Sequence, residues 1–174
     1  MEFHILYMIQ EWHTPWLDIL MTQITSLGNK GFIWIVWAII CLLFPKTRKI
    51  GILMLLSLVL MQSFGNILLK PMIARERPCW IDSHVVLLIT EPKDYSFPSG
   101  HTAASFAVAT ILRYMKAPFY RLGMILAVMI AFSRLYLFVH FPTDVLGGIL
   151  LGFLCATFLY FLYKIYMQQK GIPF

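Results

Sequence analysis

The chain has 174 residues, enough for one ordinary domain, with 60% hydrophobic, 16% aromatic and only 13% charged residues. A water-soluble domain carries about a quarter charged residues and a disordered chain is polar and poor in aromatics, so both are excluded and an integral membrane protein is expected. The net charge of +6 does not call for nucleic acid, because the 14 Lys and Arg sit in short clusters between apolar runs, as positive-inside topology and anionic headgroups explain.

In chain order, the start Met-Glu-Phe-His has no basic n-region and no small-residue cleavage site, so no cleavable signal is expected. Phe3 to Ile9 is apolar but short, and Glu11, His13, Pro15 and Asp18 interrupt it before Leu20, Met21 and Ile24. An amphipathic pair of helices at the interface fits residues 1–28 better than a further span, with Trp12 and Trp16 in the aromatic belt. Residues 29–174 are then the transmembrane bundle. Its apolar runs extend from Gly31 to Phe44, Ile50 to Leu69, Thr102 to Met115, Leu122 to Val139 and Thr143 to Tyr163. Some are shorter than the roughly 20 residues that cross a bilayer, but their ends can extend into polar residues buried between helices. The expected fold is all-α, a polytopic transmembrane bundle of about five spanning helices. Thr102, Ser105 and Thr110 make the third span suit the bundle interior. Gly148 and Gly152 form a GxxxG pattern that serves either packing within the bundle or dimerisation.

The cations set the orientation. Lys46, Arg48 and Lys49, then Arg113, Lys116 and Arg121, then Lys164 and Lys170 all fall on one face by alternation, and that face is expected to be cytoplasmic. Residues 70–101 and 134–144 therefore meet on the extracytoplasmic side. Three cysteines without a CxxC pair give no disulfide framework or redox site. His4, His13 and His84 have no motif partners.

Three constellations gather at that outer face. Lys70 and Arg77 lie seven residues apart, two helical turns, so a helical segment would aim both cations at one anion; a pair of snorkelling side chains describes the same spacing. Ser99 and Gly100 precede the third span, where a capped helix N-terminus offers free N–H groups to an anion, and His101 follows on the first turn. The alternative is a plain capped helix with an interfacial histidine. Arg134 lies near the outer end of an apolar span, and His140 and Asp144 are four apart, near enough for the carboxylate to hold one imidazole nitrogen. A structural Arg134–Asp144 ion pair is the alternative there.

Together these segments carry a resemblance. Lys70-x6-Arg77-Pro78, Pro98-Ser99-Gly100-His101 and Ser133-Arg134-x5-His140-x3-Asp144 are similar to the three signature motifs of the type 2 phosphatidate phosphatase superfamily, which includes undecaprenyl-diphosphate phosphatases, glucose-6-phosphatases and vanadium haloperoxidases. All three are intact, in order, across residues 70–144. Many bacterial relatives have six spans, and this chain is expected to lack the first.

The resemblance implies a hydrolase that cleaves a lipid phosphate or diphosphate through a phosphohistidine. In that reading His140 is the nucleophile, Asp144 orients it, and His101 is the acid and then the base. Lys70, Arg77, Ser99, Gly100 and Arg134 hold the phosphoryl oxygens. No cofactor or metal is expected, since Glu76, Asp82, Glu91, Asp94 and Asp144 form no close carboxylate cluster in sequence. The expected partners are a membrane lipid phosphate and the bilayer lipids, with undecaprenyl diphosphate ahead of phosphatidate and phosphatidylglycerophosphate. The expected location is the bacterial cytoplasmic membrane, with the site on the extracytoplasmic side. A non-catalytic lipid-phosphate binder or carrier is the rival, disfavoured because pure binding needs no paired histidines. Trp80 and the apolar stretch Val85 to Ile89 either shape a lipid entrance or form an ordinary interfacial loop.

Overall fold

A computed structural model describes residues 1–171, and within them every regular element is helical. The nine α-helices are α1 Glu2–Gln10, α2 Pro15–Leu27, α3 Phe32–Leu43, α4 Arg48–Met61, α5 Lys70–Ile73, α6 Pro78–Ile81, α7 Gly100–Tyr114, α8 Tyr120–Tyr136 and α9 Pro142–Gln169. A 3₁₀ turn, Asn29–Gly31, joins α2 to α3, and a π-helical stretch, Gln62–Leu69, joins α4 to α5.

Two stretches, Arg48–Ile81 and Pro142–Gln169, are long and apolar enough to cross a membrane alone. The segments Pro15–Leu27 and Asn29–Leu43, bent by 49°, meet the test only as a pair. α7 and α8, with 15 and 17 residues, rise about 22 and 26 Å at 1.5 Å per residue, short of a ~30 Å core. By length and composition, then, two or three spans stand where five were expected.

α7 is the centre of the molecule. It packs against α9, α8 and α4, and ten of its 15 residues are buried, mostly Ala, Ser and Thr. Small side chains let neighbouring backbones approach closely, which membrane helices need because lipid supplies no hydrophobic drive between them. Buried Thr102, Ser105 and Thr110 follow the sequence expectation; the Ser105 hydroxyl donates to the His101 carbonyl and accepts the Trp34 indole N–H at 3.0 Å. Large apolar side chains remain uncovered along α3, α4 and α9, among them Leu43, Val59, Leu146 and Phe161. That outer surface suits acyl chains rather than water.

The two N-terminal helices lie against α8. The Tyr136 hydroxyl donates to Asp18 at 2.6 Å, Gln10 donates to the Tyr136 carbonyl at 3.0 Å, and His13 stacks on the Tyr136 ring while pairing with Asp18 at 2.9 Å. Glu2 accepts from the Thr143 hydroxyl at 2.7 Å and pairs with Arg75.

The GxxxG pair of α9 faces α7. A Cβ on Gly148 would sit 2.7 Å from the Ser99 carbonyl oxygen, and one on Gly152 would sit 2.4 Å from that of Ala103 and 2.8 Å from the Ala107 nitrogen. Close packing inside the bundle thus accounts for both glycines. Helix propensity alone would make Gly152→Ala stabilising by about 1 kcal/mol, but the obstruction is backbone and cannot rotate away. We expect Gly152→Ala to destabilise instead, by roughly 1–3 kcal/mol of overpacking, and a lower melting temperature in detergent is the check.

Candidate active site

Local chain geometry delivers each motif. Ala74 takes a left-handed conformation (φ 48°) at the C-cap of α5, which ends the helix four residues after Lys70. Arg77 is extended (φ −83°, ψ 152°), as a residue before proline must be. Lys70 and Arg77 are therefore not on one helical face, contrary to the sequence expectation. They converge through an acid instead: Lys70 Nζ donates to Asp94 Oδ2, and Arg77 Nη2 donates to Asp94 Oδ1 at 2.7 Å. Arg77 Nε also donates to the Asp94 carbonyl at 2.6 Å, and Nη1 to the Val139 carbonyl at 2.7 Å. Burial alone would raise the Asp94 carboxyl, but Lys70 and Arg77 hold it down to about 2.

The starts of α7 and α9 are tied together. The Ser99 N–H donates to the Asp144 carbonyl at 3.0 Å, joining the second motif to the third. Ser99 holds the N-cap position of α7, but its hydroxyl makes no cap bond and accepts from Thr102 at 2.9 Å. It is fully buried and stands behind the cavity wall rather than in it. Gly100 does line the cavity; a Cβ there would press on the Asn66 amide at 3.0 Å.

His140 lies in the turn between α8 and α9 and is 1% exposed. Burial drives its imidazole well below the ordinary histidine range, and Arg77, Arg134 and Lys70 push the same way, so the ring is neutral. Arg77 Nη1 lies 3.1 Å from Nε2. An arginine can only donate, so Nε2 carries the lone pair and Nδ1 the proton. Nδ1 faces Asp144 Oδ2 at 3.5 Å and the Ser96 hydroxyl at 3.4 Å. Ser96 in turn donates to Asp144 Oδ2, which also accepts the Phe141 N–H at 2.7 Å. The histidine–aspartate link expected from the i,i+4 spacing is present, with a serine between the two.

Asp144 has a cation partner, but it is not Arg134. Arg75 Nη1 donates to Asp144 Oδ1 at 2.7 Å and to Thr143 at 2.6 Å, while its guanidinium lies 4.2 Å from the centre of the Phe141 ring. The alternative of an Arg134–Asp144 pair is thereby overturned. Arg134 is 3% exposed, donates through Nη1 to the Thr25 hydroxyl, and makes no ion pair among the described residues. Its Nε has no hydrogen-bond partner among the described residues. Taking a charge out of water costs several kcal/mol unless something compensates it. A buried guanidinium with a vacant donor is therefore poised for an anion.

Lys70, Arg77, Arg134, His101, His140 and Gly100 line one cavity of about 1000 Å³. Asp144 and Ser99 lie behind it. The charged side chains of its wall are Lys30, Lys70, Arg77, Arg134 and Asp94, an excess of positive charge that suits a phosphate. Leu88 and Ile89 contribute to the wall, while Trp80 stays back and donates to the Pro92 carbonyl at 3.2 Å. Ser96, Arg75 and Asp94 were not among the residues singled out as site candidates in sequence: Arg75 lies at a variable position inside the first motif, and Ser96 and Asp94 lie outside all three. Among the described residues no three His, Cys, Asp or Glu side chains gather as metal ligands.

Known proteins resemble this chain over most of its length. An undecaprenyl-diphosphatase of Sulfolobus acidocaldarius is 37% identical over 137 residues, covering 78% of this chain and 66% of the relative. Phosphatidylglycerophosphatase B of Bacillus subtilis is 35% identical over 168 residues, covering 86% of this chain and 75% of the relative. The chain thus spans about two thirds to three quarters of these relatives. Among solved structures, LpxE of Aquifex aeolicus superposes with a TM-score of 0.80 at 29% identity, covering 91% of this chain and 94% of that one. A transmembrane PAP2-type phosphatidylglycerolphosphate phosphatase of Bacillus subtilis gives 0.75 at 31% identity, covering 92% and 83%. The family model for the PAP2 superfamily matches residues 50–167, a stretch that contains every residue of the cationic cavity except those from α2, the α2–α3 turn and Ile35 of α3, and the chain belongs to that superfamily.

Proposed function

We propose that the protein is a membrane lipid phosphatase that works through a phosphohistidine. One observation carries this reading: a buried guanidinium with a vacant donor, Arg134, shares a cavity with Lys70, Arg77 and a neutral histidine whose lone pair is on the cavity side. A binder or carrier would need the cations but not the nucleophile or the acid behind it.

In the proposed sequence the substrate phosphoryl group enters beside Lys70 and Arg77 and takes over hydrogen bonds that Asp94 holds in the free site. Arg77 Nη1 moves from His140 Nε2 to a phosphoryl oxygen, which frees the lone pair. Nε2 attacks the terminal phosphorus in line and its bond to the bridging oxygen breaks, so that the lipid monophosphate of a diphosphate, or the lipid alcohol of a monoester, departs with a proton from the His101 imidazolium. The Nδ1 proton stays directed at the Ser96–Asp144 pair, and Arg75 remains paired with the Asp144 carboxylate while the imidazolium forms. His101 then deprotonates a water that cleaves the P–N bond and releases inorganic phosphate. Arg134, Lys70, Arg77 and the Gly100 N–H stabilise the charge on the equatorial oxygens, the main demand of phosphoryl transfer. The chemistry needs no metal in this scheme.

The preferred substrate is undecaprenyl diphosphate, the substrate that the name of the Sulfolobus relative gives for that protein. Phosphatidylglycerophosphate is the second reading, supported in the same way by the Bacillus relatives. Lipid access suits the uncovered apolar surface beside the cavity. The site would face the extracytoplasmic side of the cytoplasmic membrane, on the positive-inside argument, and residues 1–28 would lie along the interface.

Three outcomes are expected. In detergent with EDTA, the wild-type protein releases phosphate from undecaprenyl diphosphate faster than from phosphatidate or phosphatidylglycerophosphate and forms an acid-labile, alkali-stable phosphoenzyme. His140→Ala abolishes both signals, while Ser96→Ala slows turnover about tenfold, the value of one orienting hydrogen bond. Equal phosphate release by wild type and His140→Ala would remove the enzyme reading. Second, Asp94→Asn strengthens orthovanadate inhibition several-fold, because the internal carboxylate no longer competes for Lys70 and Arg77. Third, a cysteine at Val86, which is 85% exposed, reacts with an impermeant maleimide from outside intact cells; labelling only after permeabilisation reverses the assigned orientation. The native Cys79 is buried and does not interfere.

A further inference from the structure

The turn between α2 and α3 lies outside all three motifs, yet it reaches the site. Thr25, at the end of α2, accepts from Arg134 Nη1. Four residues on, Asn29 Oδ1 lies 3.0 Å from His101 Nε2, a contact across 72 residues. The turn is built for close approach. Lys30 and Gly31 are both left-handed (φ 52° and 74°), and the Gly31 N–H closes onto the Gly28 carbonyl at 2.9 Å. A Cβ on Gly28 would stand 2.8 Å from His101 Cδ2. The Cδ2–Nε2 edge of the imidazole therefore rests on this turn, with glycine at the tightest point and the amide beside it. The Asn29 side chain caps neither adjoining helix, so helix formation does not explain its orientation. Both Asn29 and Lys30 line the catalytic cavity.

We propose that Asn29 is a positioning residue for the leaving-group acid. Its amide oxygen accepts the His101 Nε2–H and fixes the ring plane, so that in the imidazolium formed beside the bound phosphoryl anion Nδ1 is the nitrogen that gives its proton to the leaving oxygen, and the neutral ring then takes one from water. This rests on the reading of His101 as the general acid. It also gives the α2–α3 break a purpose, since a continuous helix through residues 28–31 would carry the amide away from the ring.

Leaving-group dependence separates positioning from structural support. An alkoxide departs poorly and needs the proton; a nitrophenolate departs well without it. The full-length protein in detergent is assayed for kcat/KM on dioctanoyl phosphatidate and on a nitrophenyl phosphate carrying an octyl chain. This ratio reports steps up to lipid release and not the later hydrolysis of the phosphoenzyme. Asn29→Ala is expected to lower kcat/KM about tenfold or more on phosphatidate, the scale of a displaced catalytic group, and less than about twofold on the aryl ester. Asn29→Asp, which keeps an acceptor in the same place, restores most of the loss; Asn29→Leu, which fills the volume without one, does not.

Equal losses on both substrates, or no loss on either, would overturn the inference. Melting temperatures of the three variants identify any that fail to fold, and the remaining two decide. His101→Ala is run on the same pair of substrates. If it too lacks leaving-group dependence, the acid role of His101 fails and the inference with it. If His101→Ala shows the dependence and Asn29→Ala does not, only the role of Asn29 fails.

Discussion

Three buried cations meet in one cavity, with a single exposed acid, Asp94, beside them. Lys70 and Arg77 are 5% and 2% exposed and share Asp94, while Arg134 is left with a hydroxyl and a vacant Nε. Such an arrangement is costly in the empty state, because like charges repel and each has lost water. Its compensation is a multiply charged anion of the size of a phosphoryl group, bound in several places at once. Most features of the surrounding structure hold these groups in place despite the repulsion. They include the left-handed Ala74, the extended Arg77 before Pro78, the Thr25 hydroxyl on Arg134 and the Asp94 loop over the top.

His140 is shaped by the same field. Burial and the surrounding cations keep it neutral, the form the proposed nucleophile requires, and the Arg77 guanidinium donates to its lone pair. Behind it, Asp144 faces the ring without becoming a partner for the cavity cations. Arg75 pairs with it instead from the far side of the wall, anchored by Glu2 and by the Phe141 ring. Two sets of cations thus do separate work. Arg134 and Arg77 face the cavity, and Arg75 serves the acid.

The reach of the sequence follows the range of the interactions. His140 and Asp144 are four apart and Ser99, Gly100 and His101 are consecutive, so their proximity is written in local spacing. Lys70 and Arg77 were placed together correctly but for the wrong reason, since helical periodicity was assumed across a residue that turns left-handed. Ser96, Arg75 and Asn29 act on partners 44 to 72 residues away, and nothing in their neighbourhood marks them. The buried hydroxyls of α7 follow the sequence expectation of an interior helix. Because α7 is sheathed by α4, α8 and α9 it needs neither the length nor the apolarity of a helix in contact with lipid, so length and composition alone do not confirm the expected count of about five spans.

The GxxxG pair on α9 joins the fold to the chemistry. Gly148 lets α9 approach within contact of the Ser99 carbonyl, and the Ser99 N–H bonds the Asp144 carbonyl at the same crossing. The separation between His101 on α7 and His140 before α9 is therefore set by how closely two backbones pack, not by either side chain. A methyl group at this crossing would spread the helices and move His101 away from His140 while leaving every motif residue intact. For a site assembled from three segments, the glycines that bear no functional group fix its dimensions as firmly as the histidines fix its chemistry.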